Sequence, residues 1–291
     1  MKNINIFCFG FGQVAQNFIN KLKYEKFNIE LSITSREKTM QKKIDGLSYQ
    51  SFHFDGLKYD KDLVQQLNKS DHILISIAPV NGKDIVIENF DKIIEKSSPK
   101  WITYLSATSV YGNHNGKWVN EESETKPTSP NGLNRLNAEK LWMNLAVKKR
   151  LPIQIFRLSG IYSNDKNILL RIKSGEAKII NKKNHFFSRI HVEDIANILF
   201  ESLEKFKSKE IYNISDDMPA SSKEVTLFGS KLLETSKPKT IKFESIENEM
   251  MKNFYKDSKK VSNKKMKSAF KYNLKYPSYI EGLNYIRNNF I

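Results

Sequence analysis

Three small residues near the start of the chain, Gly10, Gly12 and Ala15, are spaced as a diphosphate-binding turn requires. Gly10 permits a tight turn, Gly12 lets the backbone come close to a pyrophosphate, and Ala15 lets the following helix pack against the preceding strand. Gln13 and Val14 complete the turn, where the first N–H groups of a helix point outward and attract anions. The spacing carries weight because an apolar run, Ile4 to Phe9, precedes it and a helical pattern follows it. A second group of candidates is Thr34-Ser35-Arg36, at the end of a strand-like run from Ile29 to Thr34. An acidic residue there would hold the ribose hydroxyls of NAD, whereas an arginine suits the additional phosphate of NADP. Glu30 comes too early and Glu37 follows the arginine, so this pattern favours NADP over NAD, with a plain surface charge as the other role open to Arg36. Asp55, before Gly56, is placed either to receive an adenine amino group or to form a simple turn.

These residues need a sheet to position them. Val14, Ala15, Phe18, Ile19 and Leu22 share one helical face. Strand-like runs recur at Ile29–Thr34, Ser51–Phe54, His72–Ile77, Trp101–Leu105 and Ile153–Leu158, with helical patterns at Ile85–Ile94 and Leu133–Lys149. Such alternation predicts an α/β fold, a doubly wound parallel Rossmann sheet of order 3-2-1-4-5-6. Ligands on such sheets lie beyond the carboxyl ends of the strands, which adds Ala78, Pro79 and Ser106 to the cofactor-binding candidates. After about residue 160 the rhythm changes. A hairpin-like stretch at Lys178–Phe187, a helix over His191–Leu203, a strand at Glu210–Ile214 returning to the main sheet and a final amphipathic helix at Tyr279–Phe290 are expected. The expected domains are residues 1–160, completed by 189–215, for the dinucleotide, and residues 161–188 with 216–291 as a smaller mixed substrate lobe.

Composition narrows the classes. The 291 residues include 39% hydrophobic and 11% aromatic side chains, enough for a sizeable core. No apolar run approaches the roughly 20 residues of a membrane span, and the first apolar run breaks at Gly10 into a motif rather than a signal peptide. The single cysteine, Cys8, excludes a disulfide framework and a cysteine-rich zinc site, and reads as a small buried hydrophobe. No metal site is expected, and the expected compartment is the cytoplasm. The net charge of +16 raises nucleic acid as a partner, but only 7 of the 48 basic residues are arginine and the lysines are scattered. The partners expected are a dinucleotide and a small molecule, with neither nucleic acid nor membrane, for a monomer or homodimer.

Three later segments carry a family resemblance: Tyr104-Leu105-Ser106-Ala107-Thr108-Ser109-Val110-Tyr111-Gly112, Phe156-Arg157-Leu158-Ser159-Gly160-Ile161-Tyr162 and Ser188-Arg189-Ile190-His191-Val192-Glu193-Asp194-Ile195-Ala196. Asn120-Glu121-Glu122 and Tyr212-Asn213-Ile214-Ser215-Asp216-Asp217 fit with them. In this order they resemble the extended short-chain dehydrogenase/reductase superfamily of the NAD-dependent epimerase/dehydratase type, across residues 4–217. The resemblance implies a dinucleotide domain with a C-terminal substrate lobe. It also implies action on nucleotide sugars or other small hydroxyl or carbonyl compounds, by a tyrosine base with a nearby lysine and a Ser or Thr on the fifth strand.

The chain departs from that pattern at each catalytic position. The hydroxyl position falls on Ala107, and the Tyr and Lys positions fall on Asn131 and Arg135. Asparagine is neither acid nor base here, and arginine stays charged and relays no proton. Residues 125–135 contain no tyrosine, so no shift of register restores the pair. The chain therefore resembles an atypical extended member. Tyr111 and Thr108 are the replacement catalytic candidates, with packing and strand capping as their other roles. Ser109 shares the second choice, and His114 is a loop histidine that titrates near neutral pH. Arg135 suits a ribose or an anion, or a salt bridge to Glu139 four residues on. Arg157 faces either the cofactor or a core-edge salt bridge, and His191 falls at a structural position of the family. The expected function is NAD(P)-dependent oxidoreductase or epimerase-like chemistry on a small polar substrate. The alternative is a catalytically silent NAD(P)-binding sensor.

Overall fold

Residues 3–9 alternate between the two faces of a sheet, and every side chain from Ile6 to Phe9 is buried. This strand sits at the centre, as an apolar run without interruption should. The computed structural model describes residues 1–182 and 184–291, and of residues 250, 251, 253 and 254 only the backbone. In chain order the first elements are β1 (Asn3–Phe9), α1 (Gln13–Tyr24), β2 (Asn28–Ser35), β3 (Met40–Ile44), β4 (Leu47–His53), α2 (Lys61–Lys69), β5 (His72–Ile75), α3 (Ile85–Ser97), β6 (Trp101–Ala107), β7 (Trp118–Val119), α4 (Pro130–Lys148) and β8 (Ile153–Leu158). They are followed by β9 (Gly160–Tyr162), α5 (Ile168–Lys173), β10 (Ile179–Asn181), β11 (Arg189–His191), α6 (Val192–Glu204), β12 (Ile211–Ile214), α7 (Ser222–Leu232), β13 (Thr240–Lys242), α8 (Glu249–Lys256), β14 (Lys260–Val261), α9 (Lys264–Phe270) and α10 (Tyr279–Phe290).

The main sheet has eight strands in the order β12-β8-β6-β5-β1-β2-β4-β3. The pairs β1–β2, β1–β5, β2–β4 and β5–β6 are parallel. The expected 3-2-1-4-5-6 order is present as β4-β2-β1-β5-β6-β8, with β12 added at one edge. The other edge carries a strand that the sequence reading missed. β3 pairs antiparallel with β4, with Ile44 opposite Leu47. The two residues between them, Asp45 and Gly46, both have positive φ (45° and 81°), the geometry of the tight hairpin turn that Asp-Gly favours. The third strand is accordingly longer than the expected Ser51–Phe54.

Two compact units divide the chain. The first comprises Met1–Ser106, Asn134–Arg157 and Ile195–Tyr212, and the second Ala107–Leu133, Leu158–Asp194 and Asn213–Ile291. In the first, Phe7, Phe9, Phe52, Phe54, Phe90 and Trp142 form a continuous buried cluster, with Phe90 5.2 Å from Phe9 and 5.0 Å from Phe54. α1 buries Val14, Ala15, Phe18, Ile19 and Leu22, the face expected from their spacing. Cys8 is fully buried. In the second unit, Leu169, Val225, Leu283 and Ile286 form a separate core. α7 starts with a capping box in which Ser221 and Glu224 satisfy each other's backbone N–H.

Two details of this unit differ from expectation. The Lys178–Phe187 stretch is not a hairpin among the described residues: β10 pairs in parallel with β13, and residue 183 lies outside the described residues. His191 ends β11, and α6 begins one residue later. Among the described residues no helix is long and apolar enough to cross a membrane, and no group of three or more His, Cys, Asp or Glu is arranged to hold a metal ion.

Candidate functional site

The turn between β1 and α1 is held from below by two side chains. The Gly10 N–H donates to Thr34 Oγ1 at 2.9 Å, and Ser76 Oγ donates to the carbonyls of Phe9 (3.0 Å) and Gly10 (3.1 Å). Gly10 has φ of +83°, and a Cβ there would lie 2.9 Å from Ser76 Oγ, so no other residue fits. Gln16 ties the turn to the first helical turn by donating to the Phe11 carbonyl at 2.9 Å. The turn is therefore built before any ligand arrives. Thr34 supports it rather than reaching outward, being only 3% exposed. Ser76 was not among the sequence candidates, although its place directly after a buried strand would have marked it.

What the turn presents is an unsatisfied positive end. Gly12 is the N-cap of α1 and supplies no side-chain cap, and no acidic residue stands in the first turn. The first N–H groups of α1 thus lack a capping side chain, and the helix dipole adds partial positive charge there. A Cβ built on Gly12 meets nothing within 4 Å, so the space above the backbone is open. These features fit the diphosphate of a dinucleotide. Gln13 is half-buried, and Val14 and Ala15 face the core. At the end of β2, Ser35 is bonded to Ser51 at 3.1 Å, while Arg36 is exposed. Asp55 Oδ1 accepts from the N–H groups of Leu57 (2.8 Å) and Lys58 (2.7 Å), which hold its carboxyl below the usual range. Asp55 thus closes a tight turn through one carboxylate oxygen. Ala78 is exposed and Pro79 half-buried just beyond β5.

Beneath the end of β6 lies a buried charged cluster within the same unit. Ser106 Oγ donates to Glu139 Oε1 at 2.5 Å, and Arg157 grips Glu139 through Nε (3.1 and 3.2 Å) and Nη2 (2.7 Å). Glu139 is 2% exposed and Arg157 4%. The two-pronged contact makes this a strong charge-assisted pair. It removes one of the roles left open for Arg135, because the partner of Glu139 is Arg157. Arg135 instead donates to the carbonyl of Leu105, so its charge stands at the end of β6. Asp84 caps α3 by accepting from Val86 and Ile87 (both 3.0 Å) and also from Trp142 Nε1 (2.9 Å). Burial raises its carboxyl, and these donors act against that rise.

In the second unit the candidates after β6 are packed inward. Tyr111 is fully buried, and its hydroxyl donates to Asn213 Oδ1 at 2.8 Å. Asn213 is in turn held by Glu121, which accepts its N–H at 2.7 Å, and by the Ser262 carbonyl at 3.2 Å. Thr108 is 8% exposed, and Asn131 is exposed on the first turn of α4. His114 contacts the Glu124 carbonyl at 3.1 Å and meets the Tyr111 ring edge-on. His191 is wholly buried, with its ring 5.0 Å from Tyr162 and 4.2 Å from Tyr276. Its Nδ1 accepts from the Glu193 N–H at 3.3 Å, so this ring nitrogen is unprotonated. Burial pushes its pKa down to about 4.

Comparison with known proteins places this arrangement. The model of the NAD dependent epimerase/dehydratase family matches residues 87–215. A solved structure of a functionally unknown conserved protein from Silicibacter pomeroyi is similar at 30% identity and a TM-score of 0.86, covering 98% of this chain and 99% of that one. The UDP-N-acetylglucosamine 4-epimerase of Bacillus cereus is similar in fold, with 18% identity, a TM-score of 0.77 and 98% of both chains covered. So is the dTDP-glucose 4,6-dehydratase of Bacillus anthracis in complex with NAD, with 18% identity, a TM-score of 0.76 and coverage of 98% of this chain and 96% of that one. Comparison with curated proteins gives no match.

Two outcomes follow from the buried charges. Glu139→Gln leaves Arg157 buried without its counter-ion and should cost about 3–5 kcal/mol, read from urea unfolding. The double variant Glu139→Leu/Arg157→Leu should recover most of that loss; a single variant as stable as wild type would contradict the pairing. His191 makes the fold acid-sensitive. Its folded pKa of about 4 lies below the ordinary 6.5, so its contribution is complete above pH 6.5 and is lost as pH falls toward 4. The full difference amounts to roughly 3 kcal/mol. His191→Gln should flatten the stability–pH curve between those limits, and an unchanged acid limb would refute the assignment.

Proposed function

We propose that the chain, whose residues 87–215 match the NAD dependent epimerase/dehydratase family, is a member of it, binds NADP or NAD and performs redox or epimerase-like chemistry on a small, hydroxylated, nucleotide-sugar-like substrate. The observation that carries the reading is the uncapped N-terminus of α1 beneath an open Gly12, in a turn already fixed by Thr34 and Ser76. The bound nicotinamide would supply a hydride acceptor or donor; the protein's part is to bind, orient and manage protons.

The division of labour proposed among residues is specific. Gly10, Gly12, Gln13, Val14 and Ala15 seat the diphosphate, with Thr34 bracing the turn and Ser35 standing beside Arg36 at the end of β2. Arg36, exposed at the end of β2, meets the additional phosphate of NADP. Ala78, Pro79 and Ser106 stand at strand ends on the cofactor side. Arg135, fixed by the Leu105 carbonyl, offers a permanent positive charge and no proton. Thr108 orients a substrate hydroxyl. Tyr111, bonded to Asn213, holds the turn after β6 in shape. The usual tyrosine–lysine pair is replaced by Asn131 and Arg135, so turnover on ordinary nucleotide sugars should be slow. Absent acid–base assistance of that kind typically costs about 10²- to 10⁴-fold in rate. The burial and bonding of Tyr111 favour a second reading, a silent dinucleotide-binding sensor.

Gly12→Val should abolish dinucleotide binding in calorimetry without lowering the melting temperature, since the added side chain points into open space. Arg36→Ala should weaken NADP by about tenfold or more and leave NAD unchanged. Unaltered affinities in both variants would overturn the binding assignment. Turnover of nucleotide sugars with either cofactor supports the enzyme reading, and tight cofactor binding without turnover supports the sensor.

A further inference from the structure

The strand that extends the main sheet, β3, brings a lysine to the segment that follows β2. Lys42 stands opposite Tyr49 of β4 in the antiparallel pair, so the two side chains share one face of the sheet. The same side carries the diphosphate turn. The Tyr49 ring lies 5.4 Å from the ring of Phe11, between the two glycines of that turn. Lys23 Nζ of α1 donates to the Asp45 carbonyl at the tip of the hairpin, at 2.7 Å. The hairpin is thus fastened to both the glycine turn and the helix behind it.

From this position Lys42 reaches Glu37. Its Nζ forms an ion pair with Glu37 Oε2, and that bond raises the ammonium above its ordinary range. The main chain around Glu37 is held as well. Its N–H donates to Ser35 Oγ at 3.3 Å, and its carbonyl accepts from His53 Nδ1 at 3.1 Å. Thr39 Oγ1, two residues on, accepts the His53 N–H at 2.8 Å. Arg36 and Lys38, on either side of Glu37, are exposed and form no ion pair among the described residues. An exposed pair such as Lys42–Glu37 adds little stability. Its consequence lies in the charge left over: the carboxylate is taken, and the Arg36 guanidinium is open to a ligand.

A carboxylate at the end of the second strand holds the ribose hydroxyls of NAD, and a cation there suits the additional phosphate of NADP. Glu37 and Arg36 set both kinds of group side by side. A free Glu37 would repel the phosphate, accept from the ribose hydroxyls or pair with Arg36, and each of these lowers the advantage of NADP. We propose that Lys42 is a positioning residue for cofactor choice: by holding Glu37 it leaves Arg36 to the additional phosphate and sets a preference for NADP over NAD. This rests on the Arg36 reading above and gives the added edge strand a part in specificity.

NADP and NAD titrated calorimetrically into the full chain give the ratio of their affinities, which a mere loss of stability does not move. Lys42→Met keeps the aliphatic stem and removes the charge. It should lower the NADP-to-NAD affinity ratio by about three- to tenfold. Lys42→Arg should keep the ratio, and Glu37→Gln added to Lys42→Met should restore it. Lys38→Met removes the same charge from an unpaired neighbour and should change the ratio less than Lys42→Met does. Glu37→Gln alone should move it by less than about twofold, because the carboxylate is already taken. That single variant decides if Lys42→Met does not fold. An unchanged ratio in Lys42→Met, an equal fall in Lys38→Met, no rescue by Glu37→Gln, or a large gain from Glu37→Gln alone would each overturn the inference while the Arg36 reading stands. A wild type without preference for NADP, or one whose preference survives Arg36→Ala, overturns the Arg36 reading and the inference with it. The dinucleotide reading itself fails only if neither cofactor binds.

Discussion

The structure depends on one electrostatic constraint: a helix that begins without a cap. Helix termini leave N–H groups that must find partners, and most sequences supply a Ser, Asp or Asn to take them. Four helices here follow that rule, with Asp84 on α3, Asn167 on α5, Ser221 on α7 and Ser278 on α10. α1 does not. Its cap is Gly12, with no side chain to close the gap, and its first turn contains no carboxylate. The surrounding residues make this tolerable by fixing the turn from beneath. Thr34 takes the Gly10 N–H, and Ser76 reaches two carbonyls. The open N–H groups are thereby aimed at one place, where an anionic ligand would complete the helix.

Among the buried charges of the protein two pairs contrast. Glu139 and Arg157 touch in two-pronged contact, and Ser106 adds a third bond. Such a pair adds little net stability beyond what apolar residues would give, but it fixes where the end of β6 lies. Asp216 and Arg189 are equally fixed by their backbones yet do not meet.

Much of the sheet was legible because it is written in burial. β5 and β8 are mostly apolar and almost wholly buried, and α1 and α10 carry their apolar residues at helical spacing. The glycine turn was legible from its context. The edge strand β3 was missed because none of its residues is buried and its centre, Gln41-Lys42-Lys43, is polar, although Asp45-Gly46 signalled the turn. The parallel pairing of β10 with β13 joins segments some sixty residues apart, from Ile179 to Thr240, and no local pattern encodes that. In the site, the open role of Arg135 turned on which cation reaches Glu139. Arg157 comes from a strand, and only the fold reveals that it arrives first. The bond between Tyr111 and Asn213 likewise spans residues distant in sequence.

The central claim is that the bare N-terminus of α1 seats the diphosphate of a dinucleotide. A crystal structure of the chain grown with NADP tests it most directly. The account predicts density for two phosphates over Gly12, within hydrogen-bond reach of the first N–H groups of α1, with Thr34 and Ser76 unmoved. A dinucleotide bound elsewhere, or an α1 terminus still bare at saturating NADP, would contradict it.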